Sequence, residues 1–465
     1  MENDAPDLAG AAIEAGVLWG LGTAWYIAAV PSNSSDWHYD LSWDTAQKKL
    51  FTGEAIGFDD NPLYLNLPGH AFAGAGYFLA ARNNGFGPFP SLGISAATAV
   101  LWELSTEYRE IVSVGDLVVT PVGGFAIAEA LFQVSEVFRK SDDRPLFRGF
   151  WRVLSGPSSL YPWRREPPRH RFLDEHGWTT ELGHRFSLLA GAEVLRARPH
   201  GEATGGVAIG FDTTVWNHPA YDRAGTSRFI TTRTLVSHLR LAAMLRPSGL
   251  ADLELFADAT YFALYAQSLS ADQGPLHGWV GYVGLSTLYE HIERPLSEHM
   301  DQLGMVSPAG LNAHLVGRSG TVGIQLDLES HPVFGAAYSQ GLAFHRAAWP
   351  PESLSSVLAK NGYYWAIGVR STAALSVSFR RAEMGLAFRW YHLGDGEAAW
   401  AGASWRGPPL RDERFLRRLW FTIPLESEGL GLQLVLDRSY REGQLGDSHG
   451  SAVDSMARLQ LVGST

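Results

Sequence analysis

From about residue 180 to the C-terminus, apolar and polar side chains alternate with a period of two. The longest such run is DLELFADATYFALYAQ, Asp252 to Gln267. Successive side chains of an extended chain point to opposite faces. Leu253, Leu255, Ala257, Ala259, Tyr261, Ala263 and Tyr265 therefore share one greasy face. Asp252, Glu254, Asp258 and Thr260 share the other, with Phe256 out of phase. The run exceeds the roughly 5 or 6 residues usual for a strand in a soluble sheet. It suits the roughly 9 to 11 tilted residues that cross a bilayer.

The same alternation recurs. Ile324, Leu326 and Leu328 oppose Gln325, Asp327 and Glu329, and Leu386, Phe388 and Trp390 oppose Arg389. Leu419, Phe421, Ile423 and Leu425 share a face, and Leu430, Leu432, Leu434 and Leu436 oppose Gln433 and Asp437. Repetition with charge on one side predicts a transmembrane antiparallel β-barrel, hydrocarbon outside and charge within. About 12 strands are expected, beginning near Thr180, Thr204, Arg228, Ala251, Gly278, Ala309, Thr321, Tyr363, Met384, Arg414, Gly429 and Ala452. Bacterial barrels have even strand numbers, so about 10 or 14 are the alternatives. The interval Pro332 to Lys360 is too long for a tight turn and predicts an extracellular loop.

The first third reads differently. Helices are expected over Ala9–Val30, from Gly69 to Arg82, Gly93 to Glu110 and Gly124 to Lys140, with a loop at Asn83–Pro90 and a turn at Ser113–Pro121. The expected organisation is a helical domain over 1–145 that plugs or caps the barrel, a basic Pro-rich linker over 146–178, and the barrel over 179–465. In the linker, Arg164, Arg165, Arg169 and Arg171 form either a solvated connector or a contact for lipopolysaccharide phosphates. Ala9–Val30 has the apolarity of a membrane helix, but Glu14 and many small residues mark it as buried in protein. MENDAPD has three acids and no base, unlike a signal peptide. The chain therefore reads as a mature protein of the bacterial outer membrane whose signal peptide has been removed, in contact with outer-membrane lipids.

Composition adds little. A net charge of −11 gives no reason to expect a nucleic-acid partner, and the absence of cysteine excludes disulfides and thiolate chemistry. Mean hydropathy of −0.06 is what interleaved strands produce. Trp216, Tyr221, Trp279, Tyr282, Tyr363 to Trp365, Trp390, Tyr391 and Trp420 lie near expected strand ends, where interfacial girdles form.

The candidate chemistry lies in the helical part. Glu103, Glu107 and Glu110, spaced i, i+4, i+7, share a face of the third helix, beside the apolar Ala97, Val100, Leu101 and Leu104. Buried carboxylates need compensation by a base, a metal or a proton. His70, Arg82, Asp116 and Glu129 are the nearby candidates. Three readings stay open: a hydrogen-bonded network pinning the helices, general acid/base work, and a hard divalent cation such as Mg, Ca or Mn. A di-iron site would need Glu-x-x-His pairs, which the helical part lacks. Ser113 suits a helix cap.

The runs FDDNPLYLNLPGHAFAGAGYFLAARNNG and WELSTEYREIVSVGDLVVTPVGGFAIAE resemble a bacterial family of unknown function found in Gram-negative outer membranes. The matching positions are Asn66, His70, Gly74, Tyr77, Arg82, Trp102, Glu103, Glu107, Ser113, Asp116, Pro121, Gly124 and Glu129. Ala71 and Ala128 depart from the pattern, where Pro and Gly are usual. A fainter similarity is to VanZ-like membrane proteins. The resemblance implies a site, with Asn66, Tyr77, Arg82, Trp102 and Ser113 in support, but no known reaction. The expected function is an outer-membrane barrel that handles an envelope lipid or glycolipid, by transport or modification. The alternatives are a passive channel or solute-uptake barrel and a structural barrel without ligand.

Overall fold

The structure is a computed structural model. It describes residues 5–29, 37–141, 172–174, 177–198, 203–271, 275–296, 299–345, 354, 356–402, 407–425 and 429–464. The expected basic linker falls mostly outside these. The chain divides into two compact units, Met1–Trp178 and Thr179–Thr465.

The second unit is a closed antiparallel β-barrel of 12 strands. They are β1 (Gly183–Arg198), β2 (Ala203–Trp216), β3 (Gly225–Thr231, resuming at Val236–Arg246), β4 (Gly249–Ser270), β5 (His277–Leu296) and β6 (His299–Ser319). β7 (Val322–Tyr338), β8 (Tyr363–Phe379), β9 (Ala382–Asp395), β10 (Leu410–Pro424), β11 (Leu430–Leu445) and β12 (Ser448–Ser464) complete the set. The two pieces of β3 pair with the same edge of β4, and β12 pairs with β1 to shut the ring. Closure pairs every strand on both edges, which hydrocarbon demands.

The alternation works as expected. Ile324, Leu326, Leu328, Val369, Leu375, Leu419, Phe421 and Leu459 are exposed on the outside. The charged positions between them turn inward: Arg370 and Arg418 are buried, and Asp327 and Glu329 are half-buried.

Three expectations need correction. In β4 the phase breaks at Phe262, where a bulge and a φ of 50° shift the register. Beyond it, Phe262 and Leu264 face out, while Ala263 and Tyr265 are buried. Tyr265 donates to Gln267 and stacks on Phe229 instead of facing lipid. A period-two reading carried through a bulge inverts every later side chain.

The strand expected from Ala309 begins at His299. Pro308 interrupts the pattern but sits where the register slips against both neighbours, so its missing N–H breaks no regular ladder. Third, much of the expected aromatic girdle turns inward. Tyr282, Tyr363, Tyr364, Trp365 and Tyr391 are buried, whereas Trp279 and Trp390 are exposed outside.

Inside, ion pairs reach across the barrel as well as along its wall. Arg418 on β10 donates to Asp437 on β11 at 2.7 and 2.8 Å and lies 3.2 Å from Glu254 on β4. β4 and β10 are six places apart in a ring of 12, directly opposite. Arg294 on β5 pairs with Asp252 at 2.8 Å and with Asp454 on β12 at 3.3 Å. Arg414 on β10 reaches Asp301 on β6 at 3.3 Å. Glu290 on β5 accepts from Arg370 at 3.0 Å, from Tyr391 at 2.7 Å and from Arg389. The interval between β7 and β8 carries two short helices, Gln340–His345 and Ser356–Asn361. Leu342, Val357 and Leu358 are buried there, and Gly341 lies so close to Leu445 on β11 that a Cβ would come within 2.9 Å of its backbone N. These two helices therefore fold inward at their end of the lumen.

The first unit contains α1 (Leu8–Ala29), α2 (Trp43–Gln47), α3 (His70–Asn83), α4 (Pro88–Leu101) and α5 (Val114–Lys140). α1 is not enclosed in protein as expected: Ala11, Ala15 and Tyr26 are buried, and its other face is exposed. α4 starts earlier than expected, because Pro88 suits a first helical turn. α5 absorbs the expected turn and runs through Pro121. It is long and apolar enough to cross a membrane, yet most of it is buried in the helical unit, which marks it as that unit's core helix. α3 lies parallel to α5 along a narrow seam. His70 meets Thr120 and Asp116, Gly74 meets Thr120 and Gly124, Phe78 stacks on Phe125, and Arg82 pairs with Glu129.

Candidate functional site

The third expected helix does not continue to Glu110. After Leu101 it widens into a π-type turn, Trp102–Thr106, and Glu107 already leaves the helical conformation. Such wide turns recur at functional sites. Here the turn carries Glu103 inward and lets Glu107 curl back beside it. A short parallel bridge of Ile56–Gly57 with Val112–Ser113 delivers Ser113 and Asp59 to the same place.

Ser113 caps α5 as expected, accepting from the Asp116 backbone N–H at 3.2 Å. Its hydroxyl donates to Asp59 at 2.6 Å, and its backbone N–H donates to Glu103 Oε2 at 2.9 Å. His70 Nε2 lies 3.2 Å from Asp116 Oδ2. One carboxylate oxygen from each of Glu103, Glu107 and Asp116 falls within 4.8 Å of the others. These three are the residues best placed to hold a cation.

All three acids are buried. Burial first, and then the negative charge of Asp59, pushes the Glu103 carboxyl up to about 8. Burial lifts Glu107 well above the carboxylate range, helped by Glu103 and Glu110. Asp116 rises for the same first reason, with Asp59 next. Burial lowers His70, which keeps its imidazole neutral. Lys49, also lowered by burial, is the one buried ammonium among the described residues, and it is committed to backbone. Its Nζ donates to the carbonyls of Glu103 and Glu107 at 3.1 and 2.8 Å.

The remaining candidates divide. Glu110 leaves the cluster and accepts from the Tyr26 hydroxyl of α1. Glu129, wholly buried, takes both nitrogens of the Arg82 fork at 2.8 and 3.0 Å and the Gln133 amide at 2.8 Å. That is a structural brace between α3 and α5. Arg82→Ala strands the Glu129 carboxylate, and loss of a buried pair's partner costs about 3–5 kcal/mol. The expected result is a lower melting temperature of the helical signal in circular dichroism; an unchanged melt contradicts the brace.

Asn66 is buried beneath the α3 start, Tyr77 packs on Ala15 of α1, and Trp102 meets Tyr26 edge-on at 6.3 Å. Sequence reasoning missed Asp59, Lys49 and Tyr26. Asp59 lies in a stretch without periodicity, and Tyr26 sits in a helix apolar on all sides.

Fold and site together define a class: a transmembrane β-barrel of the outer-membrane type, carried on one chain with a helical unit that encloses a carboxylate–histidine cluster. A family model described as a domain of unknown function, DUF3943, matches residues 55–157, the stretch that contains the cluster. No curated protein matches the chain. Solved structures similar to it include the anion-selective porin from Comamonas acidovorans, at 8% identity and a TM-score of 0.25, covering 61% of this chain and all of that one. The outer-membrane channel DcaP of Acinetobacter baumannii is similar at 10% identity and a TM-score of 0.24, over 62% of this chain and 99% of that one. A Pseudomonas aeruginosa FadL homologue is similar at 8% identity and a TM-score of 0.24, over 60% and 90%.

Proposed function

We propose that this chain is an outer-membrane barrel whose helical unit engages an envelope lipid or glycolipid and transports or modifies it. The observation that carries the reading is the surface of α1. Ile13, Val17, Leu21 and Trp25, four residues apart along one face, are between 55% and 67% exposed. The opposite face packs inward: Gly22 abuts Trp102, Thr23 bonds Thr106 at 2.8 Å, and Tyr26 donates to Glu110. One helix thus joins a greasy outer surface to the segment that bears the acids. Monomeric soluble units rarely present so large an apolar face, and one apolar all round belongs in protein or in lipid.

The cross-lumen ion pairs and the two inward-folded helices between β7 and β8 favour this reading over a passive channel. The test is lipid analysis of gently purified protein by native mass spectrometry. The parent should retain a defined lipid, and Glu103→Ala should lose it or accumulate a different one while the barrel keeps its heat-modifiable folded band. A parent free of lipid, together with stepwise conductance in planar bilayers, would favour the channel.

A further inference from the structure

We infer that Glu103, Glu107 and Asp116 form a binding site for one divalent cation of the hard, oxygen-preferring kind, with His70 positioning Asp116. The inference stands apart from the lipid reading.

Its geometric basis is the convergence of three carboxylate oxygens within 4.8 Å. A hard cation with ligands at about 2.0–2.6 Å brings its oxygens to about this mutual separation. A second observation points to a ligand. Glu103 Oε1 and Asp116 Oδ1 meet no N–H or hydroxyl donor among the described residues, although each residue is at least 97% buried; the two carboxyls face each other closely enough to share a proton. Their other oxygens are satisfied, by the Ser113 N–H and by His70. Protein groups thus orient each carboxylate and leave one lone-pair face of each free. A buried carboxylate oxygen with no donor is costly, and a cation removes that cost at both atoms together.

Charge points the same way. Asp59, Glu103, Glu107 and Asp116 gather at one place, while the nearest ammonium, on Lys49, is spent on two carbonyls. The donor set of carboxylates without thiolate selects Mg²⁺, Ca²⁺ or Mn²⁺. His70 supplies the outer contact that metal-binding carboxylates commonly have. It also receives the hydroxyl of Thr120 at 3.4 Å on its other nitrogen, which fixes the ring.

The test uses the full chain in detergent, stripped with EDTA, loaded with Mn²⁺ and freed of excess by gel filtration. Retained Mn²⁺ is counted by elemental analysis and electron paramagnetic resonance. The parent should keep one equivalent. Glu103→Gln and Asp116→Asn should each lose it, and His70→Ala should weaken retention roughly 10- to 100-fold. Glu136→Gln, which lies outside the cluster, should keep the full equivalent. Infrared difference spectra of the parent guard against a variant that merely misfolds: Mn²⁺ should abolish a protonated-carboxyl band. The inference is overturned if the parent holds no more Mn²⁺ than Glu103→Gln. It is equally overturned if the carboxyl band survives Mn²⁺, since the oxygens then share protons and no metal. Lipid retention is read separately, so either reading can fail alone.

Discussion

Glu254→Ala lowers the barrel's resistance to heat. Glu254 lies 3.2 Å from Arg418, 3.7 Å from Arg389 and 3.9 Å from Arg240, which come from three different strands. Removing it leaves guanidinium groups facing one another without their shared acceptor. Breaking a buried ion pair from one side costs about 3–5 kcal/mol, whereas removing both partners costs much less. The expected measurement is a fall in the temperature at which the compact band on unheated gels gives way to the unfolded one. Removing Arg418 together with its second acceptor, in Glu254→Ala/Arg418→Ala/Asp437→Ala, should recover part of the loss. Because the Arg418–Glu254 pair bridges opposite strands, this triple variant should also show conductance steps more often than the parent. If Glu254→Ala melts with the parent, the pair is a wall decoration and not a strut.

Gly124→Ala, or Gly74→Ala, takes apart the helical unit while sparing the barrel. A Cβ on Gly74 would lie 1.7 Å from the Thr120 carbonyl oxygen, and one on Gly124 only 2.4 Å from the Gly74 carbonyl carbon. Both obstacles are backbone, so no side chain can swing aside and the helices must separate. Overpacking of this kind costs about 1–3 kcal/mol or more. Separation also pulls His70 from Asp116, since each lies on the same helical stripe as its glycine. Limited proteolysis should cut the helical unit faster in the variant, with loss of Mn²⁺ retention and an intact heat-modifiable band. Unchanged proteolysis and retention would mean that the seam carries neither stability nor site geometry.

Legibility from residues alone was uneven for a physical reason. Strand phase is a local property, so Leu326, Asp327 and Leu328 declare their faces without any knowledge of neighbours. It fails where one residue is added, as at Phe262, or where a proline hides in a slipped register, as at Pro308. Glu103 and Glu107 were visible as helix neighbours, but the wide turn that aims both at Asp116 was not. Asp59 and Lys49 join them only because the chain folds back by more than 40 residues.

What the residues determined by themselves is the period: a sheet with hydrocarbon outside and charge inside, and a separate helical stretch with too many acids for its apolarity. Only tertiary structure decided which charges meet. Arg418 finds Glu254 because closing 12 strands sets β10 opposite β4, and Asp116 finds His70 because two glycines let α5 touch α3. Contacts between residues distant in sequence depend on ring closure and helix approach. No local pattern encodes either.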